Sequence, residues 1–418
     1  MIAAILIKAD DIMTNCRICG NKIAKFMTFG KMPLANGFLA EQQFKDEYFF
    51  ELAPAFCESC HTFQIVDQPA PEAMFHGEYA FFSQTSRSMA VHFEAFAKDT
   101  MARRLGPQDP FVVELGSNDG IMLRHFAKAG IRHLGIEPSA NVAEAARQQG
   151  VNTRCAFFGA ETAREIMAEH GQADIIQAAN VMCHIPDLKS VAEGVALLLK
   201  PDGLLIFEDP YLGDVIRKTS YDQIYDEHVY VFSAMSVARI FGAHGLELVA
   251  VEPQKTHGGS MRYVVGRKGR RPVEASVATA LADERALGLD KPETYDMFRR
   301  NCEASRDGLM AALNDLAAQG KRVVGYGATS KSTTVTQYCG ITPRHVEFIS
   351  DTTPTKQGKC SPGAHIPVKP YAEFAGNYPD VALLFAWNHA EEIFAKEDGF
   401  RASGGRWLVY VPEVKFIP

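Results

Sequence analysis

Val112-Val113-Glu114-Leu115-Gly116-Ser117-Asn118-Asp119-Gly120-Ile121 carries more structural information than any other segment of this 418-residue chain. An apolar run ends at a carboxylate and a glycine-rich turn, and the residues that follow continue with helical spacing. This order predicts a β-strand, a tight turn and an α-helix, the first unit of a doubly wound sheet with a ligand site at the strand's carboxyl end. Gly116 and Gly120 would let a ligand approach the backbone closely.

The polar residues of this turn indicate which ligand it binds. Asn118 and Asp119 offer acceptors, which suit an amino-acid ammonium group better than a pyrophosphate. The spacing also differs from G-x-G-x-x-G, and negative charge would repel phosphate. A second carboxylate, Glu137, follows the next predicted strand, His133–Ile136. It lies about twenty residues beyond the turn, where an acid meets a ribose diol in nucleotide-binding units.

Two more apolar runs, Ala173–Asn180 and Gly203–Asp209, extend the predicted sheet. The arrangement resembles the class I S-adenosylmethionine-dependent methyltransferases. The alternative is a Rossmann-like unit that binds another nucleoside. The residues expected at the cofactor in this segment are Glu114, Gly116, Asn118, Asp119, Glu137, Pro138 and Asn180.

Composition restricts the class of protein. Hydrophobic residues make up 47% and charged residues 22% of the chain, as in globular proteins that are not membrane-embedded. The net charge is −7 with no long basic run, so we expect no nucleic-acid partner. No apolar segment reaches the roughly eighteen residues of a membrane span. Met1–Lys8 is predicted to be an extended segment and not a secretion signal, which favours a reducing, cytoplasmic location, and a monomer is favoured.

Four of the nine cysteines form two C-x-x-C pairs, Cys16 with Cys19 and Cys57 with Cys60. Each pair can present two thiolates to one tetrahedral zinc ion. Nothing nearby supplies an open ligand position or a general base, so we expect a structural site. The long segment between the pairs should form an inserted pair of strands. A redox role is the alternative for an isolated C-x-x-C, and His61 is interpreted as a bystander.

The chain is long enough for two or three domains. A zinc-binding module is predicted at residues 1–71 and a methyltransferase domain at residues 72–270, which ends in the basic linker Arg267–Pro272. Lys321–Ser332 then repeats the strand, glycine turn and helix, so residues 271–418 are predicted to form a smaller C-terminal Rossmann-like domain. The predicted fold class is α/β, with a zinc-binding module, a central class I methyltransferase Rossmann-like domain and this third domain.

Two segments around the predicted core carry further functional residues. Tyr221–Ser233 packs two tyrosines, two aspartates, a glutamate and a histidine into its first eight residues, a polar density that is costly to bury without a purpose. If this segment is helical, Tyr225 and His228 share a face, and we expect the adjoining Glu227 to set the histidine tautomer. The alternative is a solvated loop, although the apolar residues that follow favour burial. The second segment precedes the predicted strand that begins at Val112. It is expected to form a lid over the cofactor with Tyr79, Gln84 and Ser88.

Five motifs occur in one order along the chain. They are the cysteine pairs, Glu114–Gly120, Tyr225–His228, Thr256–Arg262 and Gly325–Lys331. In this order they resemble the nucleotide-sugar C-methyltransferases of deoxysugar biosynthesis, such as the C-3 methyltransferases that make branched antibiotic sugars. The resemblance covers essentially the whole chain, and the segment before Cys16 departs from it.

The resemblance implies a substrate and a set of roles. The substrate would be a nucleoside-diphospho-4-keto-6-deoxysugar, whose ketone acidifies the proton on C-3. His228 would remove that proton, with Tyr225 and Glu227 orienting it or binding the sugar. His184, or Tyr79 as a second candidate, would donate to the C-4 oxygen, and Asn180 and His184 would touch both substrates.

The nucleotide part of the substrate would lie against the C-terminal domain. Ser330 and Lys331 stand at a predicted helix N-terminus, which suits a phosphate. Residues expected around the diphosphate, nucleobase and ribose are His257, Arg262, Asp351 and Asn388. The base (thymine, guanine or cytosine) and the methylated carbon stay open. An O- or N-methyltransferase, and a non-catalytic zinc and nucleotide scaffold, are the alternative functions.

Overall fold

A computed structural model of the protein describes residues 14–70, 87–106 and 108–418, without the side chains of residues 87 and 88. The predicted lid residues Tyr79 and Gln84 lie outside this description, as do the side chain of Ser88 and the segment Met1–Lys8. None of the described helices combines the length and apolarity that crossing a bilayer requires.

The N-terminal module is built from short antiparallel strands. They are β1 (Thr14–Asn15), β2 (Lys22–Ile23), β3 (Lys31–Pro33), β4 (Phe49–Glu51), β5 (Pro54–Cys57) and β6 (Thr62–Ile65). Strand β1 pairs with β2, β3 with β4, and β5 with β6. The first cysteine pair lies between β1 and β2 and the second at the β5–β6 turn, so β3 and β4 are the predicted insertion between the pairs.

The central domain contains a seven-stranded sheet. In chain order its strands are β7 (Phe111–Leu115), β8 (Arg132–Ile136), β9 (Thr153–Arg154), β10 (Ala173–Ala179), β11 (Leu199–Pro210), β13 (Leu246–Gln254) and β14 (Ser260–Arg267). Strand β12 (Tyr230–Val231) lies between β11 and β13 in sequence but belongs to another sheet. The spatial order is β13-β14-β11-β10-β7-β8-β9. The pairs from β11 to β9 are parallel, whereas β14 and β13 are antiparallel, so the predicted doubly wound core is confirmed.

Helices cover both faces of this sheet. They are α1 (Arg87–Arg103), α2 (Leu123–Lys128), α3 (Ala140–Gln148), α4 (Ala160–His170), α5 (Leu188–Leu198), α6 (Leu212–Lys218) and α7 (Ala234–Gly242). All five residues of β7 are buried because alternate side chains enter two different cores. Val112 belongs to the cluster that contains Phe96 of α1, and Val113 belongs to the cluster that contains Val191 of α5.

The C-terminal domain has its own six-stranded sheet in the order β17-β16-β15-β18-β19-β20. These strands are β15 (Val323–Tyr326), β16 (Ile349–Ser350), β17 (Val368–Lys369), β18 (Val381–Leu384), β19 (Arg406–Val409) and β20 (Lys415–Ile417). All pairs are parallel except β19 with β20. The accompanying helices are α10 (Ser330–Cys339), α11 (Tyr371–Gly376), α12 (Ala390–Lys396) and α13 (Asp398–Ala402). The second Rossmann-like domain is therefore confirmed.

Several elements connect the three parts. Helices α8 (Ala275–Leu287) and α9 (Pro292–Ala318) lie between the two larger sheets in sequence. Glu284 of α8 accepts the N–H groups of Ala234 and Met235 at the start of α7, at 2.6 and 2.9 Å. Strand β12 pairs with β6 of the N-terminal module. Because elements cross the expected boundaries, the division at residues 71 and 270 stays a prediction.

Candidate active site

The four cysteines of the N-terminal module converge. The Sγ atoms of Cys16 and Cys60 are 3.6 Å apart, those of Cys19 and Cys57 are 3.5 Å apart, and all four lie within 4.8 Å of one another. A zinc ion with tetrahedral Zn–S bonds of about 2.3 Å separates its sulfur ligands by about 3.8 Å, so the cluster fits the ion. The side-chain amide of Gln64 also donates to the Cys16 sulfur at 3.1 Å, which suits a thiolate.

A cavity of 410 Å³ lies where the three parts of the molecule meet. This volume is typical of small-molecule sites. Its polar lining residues include Asn36, Asn118, Glu137, Asn180, His184, Tyr225, Glu227, His228, His257, Thr329, Ser330, Lys331, Lys356, Asn388 and His389. The predicted catalytic segment and parts of both larger domains therefore face one space.

One end of the cavity is formed by the carboxyl ends of β7, β8 and β10. Gly116 has a φ of 60°, and an added Cβ would collide with the side chain of Val181, so only glycine fits at this position. Glu137 accepts the N–H groups of Asn118 at 3.0 Å and Ser139 at 2.9 Å. Among the residues that the structure describes, the buried Oδ1 of Asn180 has no hydrogen-bond partner. These groups fit the polar nucleoside and amino-acid parts of S-adenosylmethionine.

Two of the residues expected at the cofactor lie behind this surface. Glu114 is buried beside Gln177, whose side-chain nitrogen is 3.5 Å from its carboxylate, and burial raises the Glu114 pKa well above the usual value. Asp119 is fully buried. Neither residue lines the cavity among the described residues, whereas Gly116, Asn118, Glu137, Pro138 and Asn180 do.

The lining of the cavity also contains a tyrosine–histidine pair. The hydroxyl of Tyr225 is 2.8 Å from Nε2 of His228, and Nδ1 of His228 is 2.7 Å from the carbonyl oxygen of Gln223. A carbonyl can only accept, so Nδ1 carries the proton and Nε2 offers its lone pair to the Tyr225 hydroxyl. His228 is 5% exposed, and burial lowers its pKa well below the usual value, so the ring is neutral.

The expectation that Glu227 sets the tautomer of His228 was wrong. The Gln223 carbonyl occupies Nδ1, and the Glu227 carboxylate instead accepts the side-chain amide of Asn36 at 2.7 Å. A turn within 221–228 brings the backbone of residue 223 under the imidazole, because the His228 N–H also bonds the Tyr225 carbonyl. Glu227 still lines the cavity, and so it remains a predicted sugar contact.

His184 lies next to this pair. Its ring is 5.3 Å from that of His228, centroid to centroid, with an interplanar angle of 23°. Burial lowers the His184 pKa to about 4, so it is a neutral imidazole at ordinary pH. A neutral imidazole can donate an N–H to a developing oxyanion without first losing a charge. Asn180 precedes it, with a left-handed φ of 57° at the end of β10.

The opposite end of the cavity is basic. Lys331 is 8% exposed, bonds the side-chain oxygen of Asn388 at 3.1 Å and lies 4.8 Å from the Trp387 ring centroid. Burial lowers the Lys331 pKa to about 8. Lys356 donates to the Ala328 carbonyl at 2.7 Å, and burial lowers its pKa as well. Together with the N-terminus of α10, these ammonium groups form an environment that suits an anion.

Two residues that were predicted to contact the substrate, Arg262 and Asp351, instead bond other groups of the protein. The Arg262 guanidinium pairs with Glu208 at 2.9 Å and lies 3.7 Å from the Phe96 ring centroid. The Asp351 carboxylate accepts the N–H groups of Ala328 and Thr353, each at 2.7 Å. Neither is among the described lining residues, while His257, Ser330, Lys331 and Asn388 are.

The sequence analysis missed Asn36 and Lys356. Asn36 lies in the insertion between the cysteine pairs, and nothing in its sequence neighbourhood distinguishes it from a loop residue. Lys356 follows β16 by six residues, at the same edge of the sheet as the glycine turn after β15. A search for basic residues after every predicted parallel strand would have found it.

Three family models match successive parts of the chain. Residues 16–75 match the model of a zinc binding domain, residues 89–251 that of a methyltransferase domain, and residues 255–412 that of a C-methyltransferase C-terminal domain. A ubiquinone biosynthesis O-methyltransferase from Rhodopseudomonas palustris is 25% identical over 123 residues, 28% of this chain and 49% of that protein. The solved structure of the PH0226 protein from Pyrococcus horikoshii is 16% identical, covering 45% of this chain and 95% of that one, with a TM-score of 0.36.

One relative that matches along nearly the whole length is the C-methyltransferase NovU of Streptomyces niveus. It is 36% identical over 406 residues, which is 96% of either chain. The cysteine cluster and the cavity of this chain fit zinc and S-adenosylmethionine. The chain therefore belongs to the S-adenosylmethionine-dependent C-methyltransferase family that includes NovU, and it carries the zinc-binding module of that family.

Proposed function

We propose that the protein methylates a carbon next to the ketone of a nucleoside-diphospho-4-keto-6-deoxysugar, C-3 in the simplest case. The observation that carries the proposal is the arrangement of charge along the cavity. The central domain contributes Glu137 and the neutral His184 and His228 to the lining, and the C-terminal domain contributes Lys331 and Lys356.

This arrangement matches the charges of two different ligands. S-adenosylmethionine carries a sulfonium and an ammonium group, so it suits the end with the carboxylate. A nucleoside diphosphate carries at least two negative charges, so it suits the lysine end, where α10 begins. The sugar that joins the diphosphate would then lie against the histidines, between the phosphates and the methyl donor.

The central residues can generate the nucleophile. The C-3 proton passes to Nε2 of His228, either directly or through Tyr225, whose oxygen accepts the proton while its own proton moves to Nε2. The product is an enolate and an imidazolium ion, and His184 donates an N–H to the C-4 oxygen where the negative charge develops. The bound cofactor supplies an electrophilic methyl group to this carbon. The imidazolium then returns its proton to solvent.

The substrate class is tested with a panel of nucleoside-diphospho-4-keto-6-deoxysugars that differ in base. We expect one of them to gain the mass of one CH₂ and to lose the hydrogen on the methylated carbon. Methyl transfer to a hydroxyl, with the carbon-bound hydrogen retained, would contradict C-methylation of a ketosugar. Equal turnover of the free ketosugar without its nucleotide would contradict the role given to the lysine end.

His228 is tested by substitution. His228→Asn is expected to keep both ligands bound and to lose turnover by roughly 10²–10⁴-fold, the usual range for a positioned general base. With S-adenosylhomocysteine and deuterated water, it should also stop exchanging the C-3 hydrogen, because the enolate forms before the methyl group moves. Exchange that persists in His228→Asn but vanishes in Tyr225→Phe would assign the base to the tyrosine.

A further inference from the structure

One residue of the N-terminal module reaches the reaction centre. Among the described lining residues, Asn36 is the one contributed by residues 14–70, and it belongs to the insertion between the cysteine pairs. The residues it contacts are distant in sequence, at positions 227 and 330. Asn36 therefore joins a third part of the chain to a site that the two Rossmann-like domains already form.

The Asn36 side chain has a defined orientation. Its Oδ1 accepts the hydroxyl of Ser330 at 3.0 Å, and its Nδ2 donates to Oε1 of Glu227 at 2.7 Å. Since a carboxylate can only accept, the nitrogen must face Glu227 and the oxygen must face Ser330. The amide thus bridges the sugar region and the start of α10.

The backbone beside Asn36 is fixed by separate contacts. The N–H of Ala35 donates to Asp226 at 3.1 Å, and the Ala35 carbonyl accepts the hydroxyl of Thr333 at 2.9 Å. In the same junction, Thr334 bonds the carbonyl of Ile224 at 3.0 Å. Because these contacts do not involve the Asn36 side chain, its truncation removes one bridge and leaves the junction in place.

The charge of Glu227 depends on this bridge. Burial raises the Glu227 pKa, whereas the Asn36 amide and the positive charge of Lys356 oppose the increase. Among the described residues, Asp226 and Cys183 also interact electrostatically with this carboxylate, and Tyr225 and His228 belong to the same turn. Without the amide, Glu227 would be protonated over a wider range of pH.

We propose that Asn36 is a positioning residue of the reaction centre, which holds Glu227 toward the sugar and couples it through Ser330 to the phosphate-binding end. The inference rests on the proposed function for the identity of the sugar. The coupling between the two residues does not depend on which acceptor is methylated.

The first test is kinetic. Asn36→Ala is expected to lower kcat by roughly 10- to 100-fold, as small misplacements of catalytic groups do, with KM little changed. The acidic limb of its kcat profile should move to higher pH, and Asn36→Asp, which has the same size but adds a like charge, should move it further. In a Glu227→Gln background, Asn36→Ala should cause no additional loss. Gln42→Ala, an exposed amide in the same insertion, is the control that should match the wild type.

The second test needs no substrate. In protein with ¹³C-labelled glutamate carboxyls, the Glu227 signal is assigned by its absence in Glu227→Gln. Its titration midpoint should rise in Asn36→Ala and stay unchanged in Gln42→Ala. An unchanged midpoint, or equal losses from Asn36→Ala with and without Glu227, would overturn the inference even if ketosugar methylation is observed. A raised midpoint in an enzyme that methylates a different acceptor would keep the inference and reject the proposed substrate.

Discussion

Single residues at the cofactor end could be predicted from spacing, but their partners could not. Glu137 was located by its distance from the glycine turn, and it does line the cavity. Glu114 met the same criterion of a strand-end carboxylate, yet its side chain lies behind the surface beside Gln177. In a strand, successive side chains point to opposite faces of the sheet. A shift of one position along the strand therefore decides whether a carboxylate faces the ligand or the protein interior.

Glu137→Ala is expected to weaken binding of S-adenosylhomocysteine by about 1–3 kcal/mol, the usual loss when buried polar groups are left without a partner. The N–H groups of Asn118 and Ser139 would lose their acceptor as well. Calorimetric titration measures the change. Glu144→Ala, an exposed carboxylate on α3, is the matched control and should bind like the wild type. Unchanged affinity in Glu137→Ala would remove this carboxylate from the cofactor site.

At the scale of elements, long apolar strands were predicted well and short ones poorly. The apolar pattern of Val346–Asp351 is typical of a strand, but only Ile349–Ser350 pairs, and the N–H of Val346 bonds the Thr342 carbonyl in a turn instead. Whether two residues such as those of β16 form a strand depends on the strands that pair with them. The spacing of apolar residues in the sequence does not reveal those partners. The turn at Thr256–Gly259 shows the same dependence, since its glycines fit against residues of other elements.

Gly258→Ala tests this turn. Gly258 has a φ of 85°, and an added Cβ would collide with the Trp387 ring of the C-terminal domain. We expect a loss of roughly 1–3 kcal/mol in the free energy of unfolding, from overpacking and from the left-handed backbone. Urea denaturation measures it. Gly242→Ala, where a Cβ meets no atom within 4 Å at the end of α7, should be neutral or slightly stabilising. Equal stability of the two variants would contradict this description of the turn.

For the whole molecule, the sequence predicted the parts but not how they meet. The motifs that line the cavity were recognisable one by one, because each follows a strand or a glycine turn. Their assembly depends on contacts such as the Asp222 carboxylate, which accepts Trp387 Nε1 at 2.6 Å and the Tyr410 hydroxyl at 2.7 Å. Partners separated by more than 160 positions leave no local pattern. Asn36 could not be predicted for the same reason.

Cys57→Ser is expected to abolish zinc binding and to unfold the N-terminal module, since the binding energy of small structural zinc sites, on the order of 10 kcal/mol, is also their folding energy. Activity should fall with it, because Asn36 would no longer reach Glu227. Metal analysis and circular dichroism measure the first effects and methyl transfer the last. Cys155→Ser, an exposed thiol outside the cluster, is the control. Full activity of a metal-free, folded Cys57→Ser protein would contradict the expectation.

The pairing of β12 with β6 has a consequence for local fluctuations. Tyr230 and Val231 lie two and three residues after His228 and add a third strand to the β5–β6 pair of the zinc-binding module, while the Ile65 N–H bonds the Val229 carbonyl. Breaking these backbone hydrogen bonds in the module also frees the chain that holds the imidazole. We therefore expect the module and the segment that carries His228 to open and close as one cooperative unit, so that transient fraying of the zinc-binding strands would also displace the imidazole.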